Sequence, residues 1–273
     1  MDVQRWDSLE VAFSAAREYA NPFRDVALTA SFTHLPSGRT VQATGFYDGD
    51  ATWRLRLLPD ETGEWRYRTA SPDAGLDGHE GTFRCVPSEA PYLRGPLRAR
   101  GHHFFHADGT PRFLISTRLS CHMTAPDVWM DAVRYLKAHH IERVLFIMGG
   151  IAGTTPRLFG PDLDFDRYNV ETFRAIDTFI DALRREGMIA SPYFYYFNDR
   201  LQRQMTPEQD RAYLHYGMAR FGAYANVLPV LSNEVEQKFT ERRAPYDLRA
   251  HEWANEMGAV LREAATFGVP VTV

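Results

Sequence analysis

Cysteine is almost absent from this 273-residue chain: Cys85 and Cys121 are the only two, and they fall in stretches of different character. A disulfide framework is therefore excluded as the source of stability, and a packed core must suffice. Long apolar runs are missing too. The longest, residues 144–153, is about half of the ~20 residues a membrane helix needs, so no membrane partner is expected. Nor is there an excess of positive charge. Lys plus Arg number 31 against 35 Asp plus Glu, a net charge of −4, which leaves no basic face for phosphates and argues against nucleic acid. The opening Met1-Asp2-Val3-Gln4-Arg5-Trp6 lacks the basic, apolar and small-residue succession of a secretory signal, which points to the cytoplasm. What remains is a chain 44% hydrophobic and 24% charged, of ordinary globular composition and long enough for two domains.

Up to about Pro91 the apolar residues recur with period two: Leu9, Val11 and Phe13; Val26, Leu28, Ala30 and Phe32; Trp53, Leu55 and Leu57; Trp65 and Tyr67; Phe83 and Cys85. Such alternation describes half-buried strands. Turn signals such as Pro36-Ser37-Gly38, Asp48-Gly49-Asp50 and Leu76-Asp77-Gly78 separate them, and helical periodicity is confined to residues 13–19. The spacing predicts an antiparallel, immunoglobulin-like β-sandwich over residues 1–93. A joint punctuated by Pro91, Gly95 and Pro96 follows, then a hairpin around Asp108-Gly109.

From residue 94 to 273 the pattern changes to apolar strands alternating with amphipathic helices. Strands are expected at 113–119, 143–148, 188–195, 227–231 and 269–273. Between them, Thr124 precedes Pro126 as an N-cap for a helix with Val128, Trp129, Ala132, Val133 and Leu136 on one face. Phe173, Ile176, Phe179, Ile180 and Leu183 stripe a second helix, with Gly187 placed for a left-handed cap. Thr206-Pro207-Glu208-Gln209 reads as an N-cap, a first-turn proline and a capping box. Residues 248–267 form a fourth helix stopped by Gly268. Strand starts 30 to 45 residues apart keep the pace of a (β/α)8 TIM-type barrel. A whole barrel takes about 250 residues, so the expectation is a barrel truncated after about five strands, with an open parallel sheet as the alternative.

In a β/α barrel, chemistry gathers where strands end. Four such places occur: Ser120-Cys121-His122, Gly149-Gly150, Asn198-Asp199, and Ser232-Asn233-Glu234-Val235-Glu236. The last follows an apolar strand, at the fourth β position. Glycosidases need a carboxyl group able to protonate a leaving glycosidic oxygen and a neighbour that hydrogen-bonds the sugar 2-hydroxyl. Glu234 and Asn233 are the candidates for those two tasks.

The Asn-Glu pair at the end of a fourth strand resembles the acid/base motif of the cellulase-like (clan A) superfamily of retaining glycoside hydrolases. Asn21-Pro22-Phe23, Gly45-Phe46-Tyr47-Asp48-Gly49 and Pro59-Asp60-Glu61-Thr62-Gly63-Glu64-Trp65-Arg66-Tyr67 are similar to a β-sandwich domain of uncharacterised role that precedes such barrels in bacterial glycosidases. His106-Ala107-Asp108-Gly109-Thr110-Pro111 also looks like that family. The resemblance implies hydrolysis of a β-linked glycoside by double displacement, a carbohydrate substrate and no cofactor. It further implies a glutamate nucleophile after a seventh strand, a position that no residue of 1–273 fills by the motif. Ser116-Thr117-Arg118 departs from the Gly-Asp/Thr-Thr element that related barrels often carry after their first strand.

Each candidate has a plainer reading. Glu234 would otherwise be a rim carboxylate paired with Lys238 or Arg242, and Glu236 either a sugar contact or one end of a surface salt bridge. Asn198 and Asp199 either line a pocket or cap a loop. Most of residues 193–197 belong to the core, with Tyr196 the aromatic expected near the rim as a sugar platform. His122 either binds a hydroxyl, holds Glu234 or caps the first strand. His102, His103 and His106 lack the ligand spacing of a zinc site, so no metal is expected. The glycines at 149–153 match no nucleotide-binding pattern, and no Gly-x-Ser-x-Gly elbow occurs. Two rival functions remain: a non-catalytic carbohydrate-binding or scaffolding protein, and a metal-dependent hydrolase on the same barrel.

Overall fold

The computed structural model of the chain describes residues 1–120, 124–149, 158–160, 163–239 and 247–272. Cys121, His122, Arg242, Val273 and the glycine stretch after Gly149 lie outside the described residues, as does the side chain of Asp199. The architecture is mixed β and α/β. Strands β1 (Asp2–Gln4), β2 (Leu9–Ser14), β3 (Thr29–His34), β4 (Thr40–Thr44), β5 (Phe46–Tyr47), β6 (Thr52–Leu57), β7 (Gly63–Ala70) and β8 (Glu80–Val86) form two sheets of order β1-β8-β7-β3-β4 and β2-β6-β5. All pairings are antiparallel except β1 with β8. The inward residues of both sheets share one core, with Phe32, Leu55, Leu57 and Trp65 fully buried, as the period-two pattern requires. A small antiparallel sheet of β9 (Leu97–Arg100), β10 (His103–His106) and β11 (Pro111–Arg112) follows, turning at Asp108-Gly109 with Gly109 at φ 91°.

Beyond it, β12 (Ser116–Arg118), α1 (Pro126–Ala138), β13 (Arg143–Ile147), α2 (Val170–Arg185), β14 (Ile189–Tyr196), α3 (Pro207–Phe221), β15 (Val230–Asn233) and α4 (Leu248–Ala264) alternate along the chain. The four strands pair in parallel in the order β12-β13-β14-β15. The stripe of α2 is buried as its spacing demands, and Gly187 adopts φ 65° just past its end. At the start of α3, the Thr206 hydroxyl accepts from the Gln209 N–H while the Gln209 side chain accepts from the Thr206 N–H, closing the capping box.

Several local expectations are corrected. Residues 13–19 are not helical: the Ala15 and Ala16 N–H groups donate to Ala51 O and Asp73 Oδ1, distant partners that replace a helical ladder. The N-cap of α1 is Ala125 and not Thr124, since Pro126 takes the first helical position and favours an extended residue before it. Val128 is exposed, and Trp129 and Val133 carry the burial of α1. The first parallel strand is three residues long and leaves Phe113 outside it and exposed. Pro229 has no N–H for the ladder, so the fourth strand splits into a bridge at Val227 and a strand from Val230. Among the described residues, the expected fifth strand is present as a parallel bridge between Val230 and Thr272. Finally, α4 stops at Ala264, and Phe267 turns back to pack against the cores of the N-terminal sheets, its carbonyl accepting from Arg98 Nη2 at 2.9 Å.

An ionic network joins the N-terminal sheets to the helices. Arg56 on β6 reaches Asp177 on α2 at 2.6 Å, Arg220 on α3 meets Asp177 at 2.7 Å and Asp48 at 2.8 Å, and Arg54 holds the other Asp48 oxygen at 2.6 Å. Phe46 lies beneath both guanidinium groups, 5.0 Å from Arg56 and 4.9 Å from Arg220. Burial alone would raise the Asp48 pKa. Arg220, then Arg54 and Arg174, overcome that and hold it below the ordinary aspartate value.

Candidate functional site

The neighbouring strands β14 and β15 end together, with Tyr196 opposite Asn233. Immediately beyond, residues 197–199 and 235–238 each form a short 3-10 turn, and the two turns touch. This convergence brings Asn198 and Glu234 together from positions 36 residues apart. Asn198 Nδ2 donates to Glu234 Oε2, and Gln237 Nε2 donates to the same oxygen. Asn233 Nδ2 in turn donates to Asn198 Oδ1 at 3.2 Å. Behind Gln237 stands Arg203, whose Nη2 donates to Gln237 Oε1 at 2.9 Å and whose Nε donates to the Phe197 carbonyl at 2.7 Å. The Glu234 carboxyl is thus set in place by amides that are themselves fixed.

The backbone contributes as well. Glu234 sits at φ 51°, ψ 60°, a left-handed conformation that costs a non-glycine residue about 1 kcal/mol or more. This turn ends the strand at Asn233 and leaves the Glu234 side chain half-buried. Two buried arrangements support it from below. Gln202 accepts the Tyr196 N–H at 2.8 Å and donates to the Phe194 carbonyl at 2.8 Å, continuing the hydrogen bonding of β14 past its end. Lys238, four residues after Glu234, is buried 3.1 Å from Asp210 Oδ2, which also accepts from Trp253 Nε1 at 2.7 Å. Burial presses this pair toward its neutral forms, raising the Asp210 carboxyl and lowering the Lys238 ammonium.

The sequence-derived candidates divide accordingly. Glu234, Asn233 and Asn198 form one hydrogen-bonded group. Tyr196 is half-buried at the end of β14, whereas Phe194, Tyr195 and Phe197 are core. Glu236 is half-buried within the turn that follows Glu234. His122 lies outside the described residues, and of Asp199 only the backbone, in the turn after β14, is described. The plainer reading of Glu234 with Lys238 is corrected: the lysine turns inward to Asp210, where Trp253 and Phe197 flank it. Sequence reasoning missed Gln237 and Arg203. Gln237 stands three residues from Glu234, the spacing of one 3-10 turn, which was a readable signal. Arg203 offered none. Among the described residues no group of three or more His, Cys, Asp or Glu could hold a metal ion. No described helix is long and apolar enough to cross a membrane.

Comparison with known proteins gives the fold a context. Residues 2–72 match the family model described as a domain of unknown function, DUF5060. No curated protein sequence matches the chain. Among solved structures, a Bacteroides vulgatus protein described as "a putative glycoside hydrolase" superposes with a TM-score of 0.86 at 23% identity, over 99% of this chain and 55% of its own. A family 5 glycoside hydrolase, also from Bacteroides vulgatus, gives a TM-score of 0.52 at 14% identity over 68% of this chain and 41% of its own. A third structure, described as a glycoside hydrolase, gives 0.53 at 13% identity over 67% of this chain and 42% of its own. The fold is therefore one found among glycoside hydrolases, and the chain spans about half the length of the first of these structures.

Proposed function

We propose that the chain is the N-terminal part of a retaining β-glycoside hydrolase in which Glu234 is the general acid and then the general base. On this reading residues 1–93 are an immunoglobulin-like sandwich and residues 94–273 the front of a cellulase-like (β/α)8 barrel. The observation that carries the proposal is the placing of Glu234: it stands immediately past the fourth parallel strand, one of its oxygens accepting from two side-chain amides. A carboxyl fixed in this way can hold a proton against a glycosidic oxygen without first paying rotamer entropy. Once the aglycone has left, the same carboxylate can take the proton from the attacking water. Asn233, tied to Asn198, would present its amide to the sugar 2-hydroxyl.

Double displacement needs a second carboxylate about 5–5.5 Å from the first. In this proposal it comes from sequence that the 273 residues do not include. The fold likeness supports the reading through its architecture, since this chain covers 55% of the longer neighbour of TM-score 0.86.

The test is leaving-group dependence, measured on protein expressed from the whole reading frame. Glu234→Gln should cut turnover of β-glycosides with poor leaving groups by about 10²–10⁴-fold. Glycosides of acidic phenols, which leave without protonation, should keep most of their rate of bond cleavage. Equal losses for both, or none for either, would remove Glu234 from the acid role.

A further inference from the structure

A cavity of about 600 Å³ lies where the N-terminal sheets meet the segment leading into α2. Its walls come from residues 17–23, from the turn between β5 and β6, and from residues 167–170 leading into α2. Because α2 returns antiparallel to β13, its first turn stands at the same end of the sheet as Glu234. The cavity thus lies beside the first turn of α2, toward the end of the fold that carries Glu234.

Its lining is aromatic in the wall and charged at the mouth. Tyr19, Phe23, Tyr47, Trp53 and Tyr168 meet at steep angles: Phe23 with Tyr47 at 5.1 Å and 90°, Phe23 with Tyr168 at 5.1 Å and 75°, and Tyr47 with Trp53 at 4.7 Å and 55°. Arg17 and Arg167 are balanced by Glu18 and Asp50. The walls are fixed before any ligand arrives. The Tyr19 hydroxyl donates to Asp73 Oδ2 at 2.7 Å, Asn21 Nδ2 donates to the Asp166 carbonyl at 3.0 Å, and Arg167 donates to the Ala20 carbonyl. A preformed cleft in the range of about 300–1,000 Å³ that combines apolar faces with a few polar groups is the usual form of a small-ligand site.

The chemistry of the lining narrows the ligand. Balanced charge gives no advantage to a phosphate or to a cation, and the open, charged mouth does not suit a long acyl chain. A pyranose ring fits both components: its C–H face lies on an aromatic ring, and its hydroxyls meet planar guanidinium and carboxylate groups. We propose that this cavity is a second carbohydrate subsite, built jointly by the N-terminal sheets and the loop before α2, that holds a pyranose unit of a glycan away from Glu234. The inference rests on the glycosidase reading for its choice of ligand and gives the N-terminal sheets a part in binding.

The experiment is calorimetric titration with β-1,4-linked gluco-hexaose and manno-hexaose, using Glu234→Gln protein expressed from the whole reading frame so that nothing is turned over. Tyr47→Ala should weaken binding of at least one hexaose by tenfold or more. Arg17→Ala with Glu18→Ala, both exposed and outside the core, should weaken it at least threefold and guards against misfolding of the first variant. With Glu234 restored, both variants should hydrolyse a short aryl β-glycoside at the parent rate. Hexaose binding unchanged in both variants, or undetectable in the parent, would overturn the subsite. Binding sensitive to Tyr47 in a protein that hydrolyses no aryl glycoside would uphold the subsite and count against the catalytic proposal alone.

Discussion

Asn198 and Glu234 lie just past the ends of adjacent strands, and the amide of the first donates to Oε2 of the second, so the candidate acid is oriented from the segment after the neighbouring strand as well as from its own. Asn198→Ala should therefore lower kcat for poor leaving groups by about tenfold to a hundredfold, the scale of a misplacement near 1 Å. KM for a short glycoside should change little. Steady-state kinetics on a series of aryl glycosides checks this, and an equal loss for every leaving group would contradict it.

The pair Lys238–Asp210 supports the turn that carries Glu234. Lys238→Met leaves Asp210 buried without its cation, and breaking a buried pair from one side costs about 3–5 kcal/mol. Urea denaturation should show that loss, whereas Lys238→Met combined with Asp210→Leu should recover a large part of it.

Arg220 bridges Asp48 and Asp177 with its side chain almost wholly buried. Arg220→Ala should destabilise the fold by about 3–5 kcal/mol, since two carboxylates lose a partner at once. The loss should appear in the urea transition of the N-terminal sheets as well as in that of the helices, because the network joins them.

Acid should act through the same network. Asp48 has a folded-state pKa below its unfolded value, so its contribution is fully present above about pH 4 and is lost as pH falls through the depressed folded value. Asp48→Asn should be less stable than the parent at pH 7, and the difference should shrink toward pH 2. A stability gap independent of pH over that range would contradict the assignment.

Much of this fold was legible because local physics dominates it. Period-two alternation placed the strands of the N-terminal sheets, the stripe of α2 is buried throughout, and Thr206 with Gln209 marked the start of α3 from four residues. Glu234 could be found from an apolar strand ending in Asn-Glu. Partnerships across long separations were not legible. Arg56 with Asp177, Lys238 with Asp210, and Asn198 with Glu234 depend on which elements pack together, and no spacing in the chain encodes that. Thr124 misled because a proline two residues later fixes the helix start more strongly than a hydroxyl does.

The acid role of Glu234 requires that its side chain reach a glycosidic oxygen. A crystal structure of Glu234→Gln protein, from the whole reading frame and soaked with an uncleaved β-linked oligosaccharide, measures that contact directly. The substituted side chain is expected within about 2.6–3.2 Å of an inter-sugar oxygen. A sugar chain bound with no inter-sugar oxygen within reach of that side chain, directly or through one water, would contradict it.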